Sequence, residues 1–245
     1  MNLVIDIGNT LTKIAFYRGN TLEELFVQKS LSVFLLKKLQ KQYPQTRAAI
    51  ISSVKAYPVA VKQFLKNHYI FVDNPKDISL PLQISYKTPD TLGNDRLAAS
   101  VAAKALYPSE NVLIIIAGSC ITYDMVSREE IYLGGAISPG LQMRYKALHT
   151  FTGKLPLVVH KPFAKIIGET TEESIMSGVI NGMTAEIDGM TNYYKNLFTP
   201  LKVILSGGDM EYFEKRLKNN IFAIPNIVLT GLNHLLTVYL EKNNH

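Results

Sequence analysis

Apolar positions in this chain gather into short uninterrupted runs separated by amphipathic stretches. The first run, Leu3-Val4-Ile5, stops at Asp6-Ile7-Gly8-Asn9-Thr10, and alternation resumes at Lys13-Ile14-Ala15-Phe16-Tyr17. That pattern predicts a buried strand, a tight turn and a second strand. Residues 21–26 and 31–43 include a helix with Lys and Gln on its polar face, which stops near Pro44. Residues 48–54 read as a buried strand running into a polar turn, 59–67 as a helix and 69–72 as a further strand. Strands alternating with helices predict an α/β layer fold with a parallel or mixed sheet.

Pro89 and Gly93 punctuate a loop, and the Ala-rich sequence from Arg96 onward predicts a helix, which puts Asn94 or Asp95 at its N-cap. Residues 111–117 form another apolar run, followed by Gly118, Ser119, Cys120 and an alternating stretch to Asp124. Laid beside residues 3–12, this repeats one design: apolar strand, glycine, small polar residue, second strand. The two copies lie about 110 residues apart, which points to a duplication with halves 1–110 and 111–245 and a nucleotide cleft between their glycine turns. One position breaks the match, because Ile116 stands where the first copy has Asp6.

Downstream, residues 133–140 read as a glycine-rich turn opening a helix over 141–148. Thr171 is the expected N-cap of a later helix, in which Gly178 and Gly182 imply close helix packing. The apolar run ending at Gly207-Gly208 offers backbone against which an adenosine could lie, and a plain strand-to-helix turn explains it equally well.

The chemistry these segments offer has two readings. Gly8 lets a turn approach a bound group, Asn9, Thr10 and the turn amides can donate to phosphate oxygens, and Lys13 adds charge. Asp6 could hold a hydrated magnesium ion. The same residues also suit an ordinary hairpin turn. Asp95 is either a helix cap beside a surface Arg96, or a proton acceptor beside a guanidinium that grips a substrate carboxylate or phosphate. Cys120, with apolar neighbours and no nearby histidine in sequence, reads as a packed residue.

Composition narrows the classes. A chain of 245 residues with 47% hydrophobic content can bury a full core. The net charge of +6 comes from basic residues dispersed over helix faces without interleaved aromatics, which argues against nucleic-acid binding. The single cysteine excludes an internal disulfide, residues 112–117 are too short to cross a bilayer, and the start of the chain lacks a basic leader; a cytoplasmic location without membrane association is expected.

The motif set resembles the type III pantothenate kinases of the actin, sugar-kinase and Hsp70 ATPase superfamily, over residues 1–231. Asp6-Ile7-Gly8-Asn9-Thr10-Leu11-Thr12-Lys13 is similar to the family's first phosphate motif. Tyr86 with Gly93-Asn94-Asp95-Arg96 resembles its pantothenate and catalytic loop, and Gly134-Gly135-Ala136-Ile137-Ser138-Pro139-Gly140 its GGxIxPG signature. Ser119 falls on the second ATP-binding position and Thr171 on a further pantothenate contact.

The resemblance implies duplicated ribonuclease-H-like halves and transfer of the ATP γ-phosphate to pantothenate, the first step towards coenzyme A. It gives Asp95 the role of proton acceptor and Arg96 that of carboxylate ligand. It further implies Mg²⁺ near Asp6 through water, a potassium or ammonium ion beside the ATP phosphates, and a homodimer. Ile116 occupies the position where the family has an aspartate for the monovalent cation, so impaired cation dependence and weaker activity are expected. A kinase for another hydroxylated substrate and a non-catalytic nucleotide-dependent regulator remain as alternatives.

Overall fold

The computed structural model describes residues 1–161 and 165–243. The chain divides into two compact units: Met1–Pro108 with Glu130–Tyr132 and everything from Asn226 onward, and Ser109–Glu129 with Leu133–Pro225.

The first unit contains β1 (Asn2–Ile7), β2 (Thr12–Arg18), β3 (Thr21–Gln28), α1 (Val33–Gln42), β4 (Ala48–Ser53), α2 (Val59–His68), β5 (Ile70–Val72), β6 (Gln83–Ile84) and α3 (Asn94–Leu106). Its sheet runs β3-β2-β1-β4-β5, with β1 antiparallel to β2 and parallel to β4. Leu3, Ile5, Ile14, Phe16, Ile51, Leu36 and Leu65 meet in its core. The central strands β1 and β4 are near-continuous apolar runs because both their faces are covered.

The second unit contains β7 (Asn111–Ala117), β8 (Cys120–Val126), β9 (Ile131–Pro139, whose first two residues group with the first unit), α4 (Leu141–Thr150), α5 (Thr171–Leu197), β10 (Leu201–Ser206), α6 (Met210–Glu214) and β11 (Phe222–Ala223). The strand order is β11-β10-β7-β8-β9, extended by β6 through its pairing with Ile131 and Tyr132. Here β7 is antiparallel to β8 and parallel to β10, as β1 is to β2 and β4. Each unit therefore builds its sheet in the same sequence of hairpin and crossover.

The last helix, α7 (Ile227–Lys242), groups with the first unit and not with residues 111–225, where a duplication counted along the chain would put it. The cause is a close helix contact. A Cβ on Gly231 of α7 would lie 1.8 Å from the carbonyl oxygen of Ala98 in α3, so the backbones meet where glycine faces alanine. The run Ala98-Ala99, with Ala102-Ala103 one turn on, is fully buried, which explains a helix rich in small side chains.

Two glycine readings need correction. Gly134 and Gly135 lie inside β9 instead of forming a turn, and a Cβ on Gly135 would overlap the Tyr123 carbonyl of β8 at 1.6 Å. The missing side chain serves close strand approach. At Gly178 and Gly182, by contrast, an added Cβ would meet nothing within 4 Å, so among the described residues they mark no tight helix packing.

Candidate active site

Strand β1 ends by carrying Asp6 to the mouth of its sheet, level with Lys13 of β2 on one side and Ser52 of β4 on the other. The turn that follows is closed by the Gly8 amide, which donates to the Leu11 carbonyl at 3.0 Å. Asn9, Thr10 and Leu11 are exposed at its tip, whereas Ile7 and Thr12 on its flanks are buried. Lys55, just beyond β4, donates to the Asn9 carbonyl at 3.2 Å and ties the turn to the neighbouring crossover.

The electrostatics of this corner are unusual for a surface turn. Asp6 has its pKa raised from 3.8 to about 6, first by desolvation and next by the charge of Asp95, with Lys13 opposing both. Burial lowers the pKa of Lys13, and Asp6 counters it. Lys13 Nζ donates to Asn226 Oδ1 at 2.9 Å, a contact between residues 213 positions apart.

The second carboxylate comes from the start of α3. The N-cap is Gly93, not Asn94 or Asp95, and it makes no side-chain capping bond. Asp95 therefore sits in the first turn, where its Oδ1 accepts from the Arg96 amide at 2.9 Å. Displacing Asp95 from the cap leaves its other oxygen available for a different partner. Asn94 Nδ2 donates to Asn74 Oδ1 at 3.3 Å, and Arg96 is only 6% exposed, with its guanidinium Nη2 buried. Tyr86 lies edge-on to Tyr132, with ring centroids 6.0 Å apart.

Beside Asn94 opens a cavity of about 370 Å³ lined by Ser53, Lys55, Tyr57, Asp73 and Asn74 among others. Tyr57 Oη donates to the Asp73 carboxylate, which Lys62 also pairs. One wall of the cavity, Lys55, touches the β1–β2 turn, and another, Asn94, directly precedes Asp95. Sequence reading missed Tyr57, Asp73 and Asn74. The signals present were weak: a polar turn after residue 53 and an Asn-Pro pair at 74–75 that caps a single 3₁₀ turn.

In the second unit, Ile116 pairs with Thr122 across the hairpin and with Ser206 in parallel, while Asp6 pairs with Lys13 and Ser52. The register thus makes Ile116 the counterpart of Asp6, with a serine beside each. Ser119 is exposed in the β7–β8 turn. Thr171 is the exposed first residue of α5, and the N-cap is Thr170, whose hydroxyl accepts from the Glu173 amide at 3.2 Å. Two adjacent threonines made the cap ambiguous by one position.

The donor set around Asp6 fits a magnesium ion held mostly by water and phosphate oxygens. A desolvated carboxylate beside another carboxylate is stabilised by a cation, and no group of three His, Cys, Asp or Glu able to hold a metal occurs among the described residues. The hydrocarbon side chain of Ile116 does not fit a monovalent cation.

Solved structures of similar fold include a Campylobacter jejuni protein described as a Baf family transcriptional activator, with TM-score 0.62 and 21% identity over 99% of this chain and 98% of that one. Another is the activator of 2-hydroxyisocaproyl-CoA dehydratase from Clostridium difficile with bound ADPNP, at TM-score 0.53 and 11% identity over 100% and 97% of the two chains. Together with the repeated sheet topology, these show the fold class: an α/β protein of two units, each built on a mixed sheet flanked by helices. Within that class, the family model of type III pantothenate kinases matches residues 2–193. A type III pantothenate kinase of Christiangramia forsetii is 47% identical over 96% of this chain and 98% of its own length. The chain belongs to the type III pantothenate kinase family.

Proposed function

We propose that this chain phosphorylates pantothenate with ATP, giving 4′-phosphopantothenate and ADP at the entry to coenzyme A synthesis. The observation that carries the reading is the convergence of Asp6 and Asp95, from distant parts of the first unit's sequence, at the end of β1 that leads into the Gly8–Lys13 turn. Phosphoryl transfer asks a protein chiefly for positioning and charge neutralisation, and this corner offers both.

In this reading the turn amides, Asn9, Thr10 and Lys13 hold the ATP phosphates, and the family resemblance adds Ser119 to the ATP-binding residues. Asp6 holds magnesium through water; when bound, the ion neutralises phosphate charge. Arg96, Tyr86, Gly93, Asn94 and Thr171 bind pantothenate, and the cavity beside Asn94 has room for part of that substrate. Asp95 takes the proton of the primary hydroxyl as its oxygen bonds to the γ-phosphorus, and the bond from that phosphorus to the bridging oxygen of ADP breaks. No step depends on a monovalent cation, since Ile116 offers it no oxygen.

The working state is a homodimer, as the family resemblance implies. A cytoplasmic location belongs to the same reading; no helix among the described residues is long and apolar enough to cross a membrane. ADP release measured with and without pantothenate, with the product identified by mass, tests the proposal. ATP turnover indifferent to pantothenate, but stimulated by another alcohol, would replace the substrate.

A further inference from the structure

The β1–β2 hairpin is braced by α7 and the residue that caps it, and that support reaches the side chain of Lys13. Asn233 of α7 is buried; its Oδ1 accepts from Asn2 Nδ2 at 2.9 Å and its Nδ2 donates to the Gly19 carbonyl at 2.8 Å. Seven residues earlier, Asn226 accepts from Lys13. Asn226, at the cap of α7, and Asn233, within the helix, thus engage Lys13 near the start of β2 and Gly19 just beyond its end.

Asn226 has a further peculiarity. It stands at the N-cap of α7 in the left-handed region, with φ 56° and ψ 30°, and its side chain makes no capping bond to its own helix. A residue at a cap would ordinarily use its side-chain oxygen for the first-turn amides. Here that oxygen is committed to Lys13, and the left-handed backbone, which asparagine tolerates better than most residues, aims it there.

We propose that Asn226 is a positioning residue for Lys13. Its amide oxygen fixes the ammonium at the mouth of the β1–β2 turn without neutralising it, so that the full positive charge faces a bound phosphate. A carboxylate at the same place would hold Lys13 equally well and consume its charge. Asp6, level with Lys13 in the sheet, already draws on that charge, which makes a neutral second partner the arrangement that leaves attraction for an anionic ligand.

The inference rests on the assignment of the β1–β2 turn to nucleotide phosphates, and the experiment separates the two. Binding of a non-hydrolysable ATP analogue with magnesium is measured by calorimetry for the parent, Asn226→Gly, Asn226→Asp and Lys13→Met, and for the double variant Asn226→Gly with Lys13→Met. Glycine keeps the left-handed backbone and removes only the amide, so the fold should persist, with thermal melting as the check. The expected loss of affinity is about 5- to 20-fold for Asn226→Gly and at least as large for Asn226→Asp, since a hydrogen bond to a charged group is at stake. In the Lys13→Met background Asn226→Gly should change affinity by less than about twofold, because the effect runs through Lys13. In turnover, KM for ATP should rise while KM for pantothenate stays put.

A parent-like affinity in Asn226→Gly, or an equal loss with and without Lys13, overturns the positioning role. A parent that binds the analogue but does not phosphorylate pantothenate overturns the substrate and leaves Asn226 as argued. A parent that binds no nucleotide overturns both.

Discussion

Asp6 at the end of β1 and Asp95 in the first turn of α3 lie within each other's electrostatic reach, and the second carboxylate helps to raise the pKa of the first to about 6. Two acidic groups gathered where water is partly excluded weaken a fold unless a cation or a proton joins them. Evolution of such a corner is more readily understood from ligand binding than from stability.

The first prediction follows from that strain. A carboxyl raised in the folded state binds its proton more tightly there, so its contribution favours the fold fully below pH 3.8 and is lost as the pH climbs through about 6. Once both states are ionised the loss is on the order of 3 kcal/mol. Asp6→Asn should therefore melt several degrees higher than the ligand-free parent at pH 7.5 and no higher near pH 3.5. The same variant should lose the stabilisation that magnesium and ATP give the parent, and nearly all turnover. A melting temperature at or below the parent's at pH 7.5 would contradict the electrostatic account.

Asp95 carries the second prediction. Asp95→Asn should reduce kcat by about 10²- to 10⁴-fold while the ATP analogue still binds. Removing the neighbouring charge should also let Asp6 ionise at lower pH, which carbon-13 NMR of the aspartate carboxylates can follow without any turnover. An Asp6 titration unchanged in Asp95→Asn would show that the two groups do not communicate.

Much of this layout could be read from the chain. Buried central strands are uninterrupted apolar runs, so residues 3–5 and 111–117 announced themselves, and the glycine after each revealed the repeat. Position Ile116 opposite Asp6 was visible for the same reason. Caps were legible only to within one or two residues, because Gly93, Asn94 and Asp95 in one helix, and Thr170 beside Thr171 in the other, are each acceptable at an N-cap. The glycine pair at 134–135 looked like a turn because strand glycines and turn glycines share a composition, and only the approach of Tyr123 distinguishes them. The partners Asn226 and Lys13 were out of reach of any local pattern, as was the return of α7 to the first unit, since its apolar surface would suit either core.

Helix packing supplies the third prediction. Replacing a helix-interior glycine with alanine normally stabilises by up to about 1 kcal/mol. At Gly231 the sign should reverse, because the new methyl would sit 1.8 Å from the Ala98 carbonyl and force apart the helices that carry Asp95 and brace Lys13. Gly231→Ala should lose about 1–3 kcal/mol, or fail to fold. Gly178→Ala, in the open, is the matched control and should melt slightly higher than the parent. Equal melting temperatures for the two variants would mean that α3 and α7 yield to each other without penalty.

The last prediction concerns Ile116. Its register partners Thr122 and Ser206 are the counterparts of Lys13 and Ser52, so a carboxylate placed there would occupy in the second unit the position Asp6 holds in the first. The parent lacks that oxygen, and its turnover should be flat across a potassium titration at constant ionic strength. Ile116→Asp should acquire a potassium requirement, with turnover rising about 10- to 100-fold at saturation, the range over which supporting groups at metal sites commonly act. The residue is half-buried at a strand end, so a carboxylate can stay hydrated on its open side and the variant should fold. Sodium at the same ionic strength separates a specific ion from general screening. Superimposable potassium curves for the two proteins would refute the idea that this position governs cation dependence.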